Sequence, residues 1–212
     1  MKQFIPLLIL MSLSLTIVCH ADESKFSKIG AVGTGVFIPT GTDADVARTS
    51  PILQLAASVM FIPRLGFDAE FQYIPVLLEK AVLATPAHRR ATQLALLGGL
   101  KITSSPVTSS KPIAYAAARA GFARIAIRTD SASYTGGWIG RPVDSLENPN
   151  TGLGFTTRTS QKGFVLSPKV GVMIPIANRT AIDLALSPMF IFDSGDATSQ
   201  YHITLSFSRI NP

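Results

Sequence analysis

The chain has little of what a disulfide-stabilised protein or a helical membrane protein needs. Cys19 is the only cysteine among 212 residues, so no internal disulfide can form. The longest apolar stretch, residues 4–18, is shorter than the roughly 20 residues of a membrane-spanning helix. Charged residues make up 15% of the chain, against about 25% in typical soluble domains. Low charge without a long apolar run indicates that apolar residues are dispersed along the chain.

The residues and motifs of common enzyme and cofactor sites are also scarce. Beyond the N-terminal segment the only histidines are His88 and His202, and no cysteine accompanies them, so we expect no metal site. There is no Gly-x-Ser-x-Gly motif and no Gly-rich phosphate loop, so we expect neither catalysis nor a cofactor. The net charge is a modest +6, and Lys and Arg are scattered without interleaved aromatics, which argues against nucleic acid as a partner.

The N terminus has the pattern of a secretory signal peptide. Lys2 precedes the apolar stretch, and a small-residue site ends at Ala21, just before the polar Asp22. Cleavage there predicts a signal peptide at 1–21 and one domain at 22–212. The alternative is a lipoprotein in which Cys19 is the first mature residue, although Val18 stands where lipoprotein signals normally have a small residue.

The rest of the chain alternates apolar and polar residues. The clearest case is residues 201–207, Tyr-His-Ile-Thr-Leu-Ser-Phe, which predicts a strand with one apolar and one polar face. Turn residues separate eight strand-like segments, each near or above the 9–11 residues of a tilted membrane-crossing strand. These segments are 27–38, 52–62, 65–74, 91–103, 112–127, 163–174, 180–192 and 199–210.

The connections between these segments alternate in length. Tight turns are predicted at 62–66, 104–110 and 175–179, and the intervening connections at 39–51, 75–90 and 128–162 are longer. A final connection spans 193–198. Short periplasmic turns and longer external loops are typical of outer-membrane barrels. The predicted fold class is therefore all-β: an eight-stranded antiparallel up-and-down transmembrane β-barrel, located in the cell outer membrane after export through the periplasm.

Alternation alone does not separate such a barrel from a lipocalin-like soluble barrel with an apolar interior. The polar faces carry small groups such as Ser58, Thr204 and Ser206, which suit a narrow interior better than a water-facing surface. We therefore predict that the bulky apolar faces point outward to lipid. Aromatic residues near the strand ends predict two interfacial belts. They are Phe61, Phe67 and Phe207 at the periplasmic end, and Tyr73, Phe164, Phe190, Phe192 and Tyr201 at the external end.

Three segments carry a family resemblance. They are the opening strand Ile29-Gly30-Ala31-Val32-Gly33-Thr34-Gly35, the turn Pro175-Ile176-Ala177-Asn178-Arg179 and the closing strand Tyr201-x-Ile203-x-Leu205-x-Phe207. In these the chain resembles the small bacterial outer-membrane β-barrel proteins, the eight-stranded group related to outer membrane proteins A and X. The resemblance implies insertion by the outer-membrane assembly machinery.

Strand phase also predicts a charged cluster inside the barrel. An arginine facing lipid near mid-depth would cost about 2–4 kcal/mol, so Arg119 should point inward. Charges removed from water need partners, and we expect a compensated interior network that stabilises the barrel. Its predicted members are Asp68, Glu70, Arg119, Lys169 and Asp183.

Specific function is expected in the external loops, because a rigid barrel presents them to the outside. The predicted role is structural, for envelope integrity, or surface binding, with outer-membrane lipid and lipopolysaccharide as partners. Candidate lipopolysaccharide contacts are Arg48, Arg89, Arg90 and Arg141, and Trp138 lies in the longest loop. One alternative is a porin-like conduit for small solutes or hydrophobic molecules. A second is a lipid A-modifying enzyme using His202, although this histidine is more simply an interior residue that hydrogen-bonds within the barrel.

Overall fold

The computed structural model describes residues 26–45, 47–78, 90–108, 110–129, 157–193 and 196–211. The signal peptide predicted at 1–21 lies outside these residues. The strands are β1 Ser27–Pro39, β2 Ala47–Arg48, β3 Ser50–Ile62, β4 Leu65–Leu78, β5 Arg90–Thr103, β6 Ile113–Thr129, β7 Thr157–Ala177, β8 Thr180–Asp193 and β9 Asp196–Asn211. A short 3-10 helix, Gly41–Asp45, precedes β2. In the described part of the chain, no helix is long and apolar enough to cross a membrane.

Eight long strands form a closed antiparallel barrel. Each long strand pairs with its neighbours in the chain, and β1 pairs with β9 from Lys28–Asn211 to Pro39–Gln200, which closes the sheet. The two-residue β2 pairs with the end of β4 and continues the line of β3. Ser50 bridges the break, since its Oγ accepts from the Leu77 N–H at 2.8 Å and donates to the Arg48 carbonyl at 2.7 Å. The predicted fold class is confirmed, and the sheet has no open edge.

The strands are longer at the external end than the sequence pattern predicted. β4 continues to Leu78, and β6 and β7 stay paired as far as Thr129 and Thr157, so parts of the predicted loops 75–90 and 128–162 are strand. The added residues of β7, 157–162, are all polar and the extension of β4 begins at Pro75, so neither segment shows the alternation that predicts a strand. Residues 79–89 and 130–156 lie outside the described residues.

The faces have the predicted orientation. In β9 the exposed fractions of Tyr201, Ile203, Leu205 and Phe207 are 41–58%, whereas the intervening His202, Thr204, Ser206 and Ser208 are buried. The same alternation holds in two strands whose sequence pattern is weaker: Arg119 points inward from β6, as predicted, and Ile29 and Phe37 point inward from β1. A soluble barrel with an apolar interior and a wet exterior is thus ruled out by the exterior, which is dominated by exposed Leu, Ile, Val and Phe side chains.

The interior has three layers. One apolar cluster lies toward the external end, a second lies toward the periplasmic end, and polar and charged side chains occupy the middle. The external cluster includes Phe37, Ile52, Ile74, Ile125, Met189 and Ile191, and the periplasmic cluster includes Ile29, Met60, Val107, Ile113, Tyr115 and Met173. The polar side chains that were predicted to fill the interior lie mainly at mid-depth, and apolar side chains occupy much of both ends.

Candidate functional site

The middle layer is organised around the carboxylate of Glu70 on β4. Its Oε2 accepts hydrogen bonds from Arg119 Nη1 at 2.7 Å and from Lys169 Nζ at 2.6 Å. Its Oε1 accepts from Gln72 Nε2 at 2.5 Å. All four side chains are buried. The strand alternation places Glu70 and Gln72 on the inner face of β4, opposite the inner faces of β6 and β7, so one carboxylate joins strands distant in sequence.

Arg119 connects Glu70 to the far wall of the barrel. Its Nη2 donates to Ser167 Oγ at 3.0 Å and to Ser187 Oγ at 2.6 Å, and its Nε donates to the Ser167 carbonyl at 3.3 Å. The two serine hydroxyls also bond each other at 2.8 Å. The planar guanidinium suits this arrangement, because its several N–H groups diverge toward different acceptors.

The remaining charges form two further contacts nearer the periplasmic end. Asp68 accepts from Ser58 Oγ at 2.7 Å and lies 4.0 Å from Lys101 Nζ and 3.9 Å from Arg119 Nη1. The Tyr115 hydroxyl donates to Asp183 Oδ1 at 2.7 Å. Lys101 Nζ lies 4.2 Å from the centre of the Tyr115 ring, which connects the two contacts.

The cluster is electrically balanced only when Lys101 is included. The five charges named from the sequence carry three negative and two positive groups, and all five are buried in the barrel. Lys101 supplies the third cation, since it is also buried and faces Asp68. A net charge sealed in a narrow interior is costly, so the imbalance itself was a signal that one inward cation was missing. The outward phase of Leu100 and Ile102 in β5 could have identified it.

The charged groups of this layer are directed at one another. The charged side chains bond one another, and the apolar clusters cover them at both ends of the barrel. Across the described residues, no group of three or more His, Cys, Asp and Glu side chains could hold a metal ion. The arrangement therefore fills the interior of the barrel at mid-depth.

His202 lies inside the barrel, as its strand phase predicted, but it does not form the expected hydrogen bond. Its ring is fully buried, with its centre 5.9 Å from that of Phe37. Neither Nδ1 nor Nε2 has a hydrogen-bond partner among the described residues. Phe37 stands opposite it on β1 and Ser187 opposite it on β8, and the Ser187 hydroxyl bonds Arg119 and Ser167 instead.

Two of the four candidate lipopolysaccharide contacts lie among the described residues. Arg48 is exposed on β2 at the external end, and Arg90 is the first residue of β5. Arg89 and Arg141 lie outside the described residues.

The strand register reveals cations at this end that sequence reasoning missed. Arg90 pairs with Arg128 and Arg128 pairs with Arg158, and Arg124 pairs with Lys162 four positions nearer the periplasmic end. The exposed Arg124 donates from Nε to Ser160 Oγ at 2.7 Å. We refer to Arg90, Arg124, Arg128, Arg158 and Lys162 as the external ridge. Their spacing in sequence gives no hint of this alignment, because it depends on the pairing of three strands.

The fold and its surfaces define a class of protein. A closed eight-stranded antiparallel barrel with an apolar exterior and a packed interior is a transmembrane β-barrel of the outer-membrane class. The large exposed apolar side chains of its exterior face lipid.

Known structures share this fold. Ail, the attachment invasion locus protein of Yersinia pestis, crystallised in complex with the heparin analogue sucrose octasulfate, aligns with a TM-score of 0.55 and 11% identity, covering 87% of this chain and 99% of Ail. The outer membrane protein OprG from Pseudomonas aeruginosa aligns with a TM-score of 0.51 and 11% identity, covering 88% of this chain and 95% of OprG. No protein-family model and no curated protein sequence matches the chain. The likeness to these structures is one of fold.

Proposed function

We propose that the chain is an integral outer-membrane protein with a structural and surface-binding role, in which a sealed barrel holds the external strand ends and loops at the cell surface. The observation that carries this proposal is the sealed interior, in which a balanced ion-pair layer lies between two apolar layers. Insertion by the outer-membrane assembly machinery belongs to the same proposal.

A sealed interior argues against a conduit. Eight strands enclose a space just wide enough for side chains, whereas porins with 16–18 strands leave an aqueous channel. Purified barrel in a planar lipid bilayer should therefore give no stepwise conductance, with a 16-stranded porin as the positive control. Reproducible single-channel steps from the barrel would show that its interior is not sealed and would favour the porin-like alternative.

The surroundings of His202 argue against lipid A chemistry. A catalytic histidine needs a nucleophile or an orienting carboxylate in hydrogen-bond reach, and His202 is buried beside Phe37. Expression of the protein should therefore leave the mass of lipid A unchanged. A mass change that His202→Ala abolishes would establish the enzyme and overturn this part of the proposal.

The external ridge favours lipopolysaccharide as the surface ligand. Like charges directly opposite one another on paired strands destabilise a sheet, and the exposed Arg124 and Lys162 form such a pair, so this part of the ridge gains from a bound anion. The ridge lies toward the external ends of β5, β6 and β7, and lipopolysaccharide phosphates would supply that charge at the outer surface. Arg48, Arg89 and Arg141 remain candidate contacts alongside the ridge.

Charge reversal tests this ligand. Arg124→Glu and Lys162→Glu should each lower lipopolysaccharide retention by at least about fivefold, since the loss of one interfacial cation alone removes about 1 kcal/mol and the new carboxylate adds repulsion. The loss should shrink at high salt. Lys111→Glu is the matched control, because it makes the same charge change in the turn between β5 and β6 at the opposite end of the barrel. Retention that is unchanged by the ridge variants would reject the ridge as the binding surface.

A further inference from the structure

A trough of about 450 Å³ runs across the lipid-facing side of the barrel. Its floor consists of small residues at paired positions, Gly30 on β1, Ala57 on β3 and Ala69 on β4. One wall is the adjacent row of large side chains, Phe207, Val32, Leu55, Phe71 and Leu96. A trough of this size and apolar lining is within the range of small-ligand sites.

The trough is bounded on its other side and at its upper end. Val59 and Phe67 form the next paired row, on the periplasmic side of the floor. Phe67 also lies over Gly98, where an added Cβ would approach the ring Cζ to 3.1 Å. The floor therefore ends at β5 against an aromatic ring, which gives the trough a closed end inside the bilayer.

The other end of the trough opens at the periplasmic rim. The floor row continues from Gly30 to Arg209 on β9 and to Thr180 at the start of β8, and both residues line the trough. Thr180 is at the strand end and Arg209 is two residues from its end, whereas Ala57 is five residues from the end of β3. In a tilted barrel such a row climbs obliquely, so the trough rises from the interface into the hydrocarbon region.

Cations gather at the open end. Arg209 lines it, and Lys28 occupies the diagonal position on β1, within about 7–8 Å by strand geometry. Arg179 lies in the adjoining turn with a φ of 66°, and its carbonyl accepts from the Ile210 N–H at 2.8 Å. The three periplasmic turns, 62–65, 104–112 and 177–180, contain no Asp or Glu; the nearest acidic residues in sequence at this end are Asp22 and Glu23, ahead of β1.

We propose that this trough binds one acyl chain of an anionic phospholipid of the periplasmic leaflet, with the lipid phosphate held by Arg209, Lys28 and Arg179. The apolar trough matches the tail and the cationic rim matches the headgroup, and the two are joined end to end at the membrane interface. The inference depends on the barrel spanning the outer membrane and is independent of the ligand at its external end.

The same charges disfavour a second copy of the chain as the occupant. Two barrels in one membrane share their orientation, so a symmetric contact through the trough would place the Arg209 of one barrel at the depth of the Arg209 of the other. Like charges brought together in an interface of low dielectric cost free energy, whereas an anionic headgroup relieves the repulsion.

Local lipid selectivity tests the proposal. In a Trp138→Phe background, Phe71→Trp places the single tryptophan in the trough wall, and Phe122→Trp places it in the same register row on β6, beyond the trough. The full barrel is reconstituted in phosphatidylcholine bilayers without lipopolysaccharide. Quenching by dibrominated phosphatidylglycerol is then compared with quenching by dibrominated phosphatidylcholine at each position.

At position 71 we expect a relative binding constant about fivefold or more in favour of phosphatidylglycerol, since one interfacial cation contributes about 1 kcal/mol. At position 122 the ratio should be about 1. Arg209→Gln should remove most of the preference at position 71, and Ala57→Leu should abolish it by filling the floor. If Ala57→Leu does not fold, Ala69→Val tests the same point.

Three results would overturn the proposal. Equal quenching by the two lipids at position 71 would mean that only ordinary bilayer lipid fills the trough. Protection of position 71 from both lipids would mean that protein, such as a second copy, covers it. A preference for phosphatidylglycerol that survives Arg209→Gln combined with Lys28→Gln would show that the rim cations do not bind the headgroup. None of these results affects the test of the external ridge.

Discussion

Glu70→Gln is the sharpest test of the interior network. The substitution preserves shape and removes one negative charge, which leaves Arg119 and Lys169 facing a neutral amide. At an effective dielectric of about 20, each cation about 2.7 Å from the carboxylate is attracted by about 6 kcal/mol. Much of this attraction is offset by the cost of burying Glu70 itself. Measured losses for removing one partner of a buried ion pair are about 3–5 kcal/mol, and we expect a loss in that range.

The assay is equilibrium unfolding in urea with the barrel in lipid vesicles, followed by the heat-dependent shift of the folded band in gel electrophoresis. The paired variant Glu70→Gln/Lys169→Met is the control, because it restores equal numbers of buried positive and negative charges. It should recover at least half of the lost free energy of unfolding. A loss below about 1 kcal/mol for Glu70→Gln, or no recovery in the paired variant, would refute the charge-balance argument.

Three further predictions concern the faces and the smaller contacts. Leu184→Arg, on the lipid face, should lower the free energy of unfolding by about 2–4 kcal/mol, and an unchanged urea midpoint would contradict the orientation. Tyr115→Phe removes the donor to Asp183 and should cost about 1–3 kcal/mol in the same assay; a neutral effect would mean that Asp183 finds another partner. Spin labels at positions 184 and 203 should be relaxed by oxygen dissolved in the bilayer, and a label at 204 should not. The reverse pattern would mean that the polar faces of the strands point to lipid.

Strand phase was readable from the sequence because neighbouring side chains point to opposite faces. The alternation in 201–207 was enough to place His202 inside and Leu205 outside, and both assignments are confirmed. The cost of placing an arginine in lipid was enough to predict that Arg119 points inward. The strand around it is rich in alanine and gave little other indication of which face is inside. Strand ends were harder, since the added residues of β7, 157–162, are all polar and show no alternation.

The partners of each residue were decided by the tertiary structure. Glu70 meets Lys169, 99 positions away, only because the barrel closes and sets the register of β4 and β7 across its interior. Arg90, Arg128 and Arg158 of the ridge and the small residues of the trough floor are likewise aligned by the register between paired strands.

The sequence by itself determined that this chain forms a membrane barrel and which side chains face inward, because both follow from a local period of two and from the cost of placing charge in lipid. Only the closed sheet decided which of those side chains are in contact, how their charges balance and where the exterior has a trough. These properties depend on register, which is a relation between strands and is not encoded in any one of them.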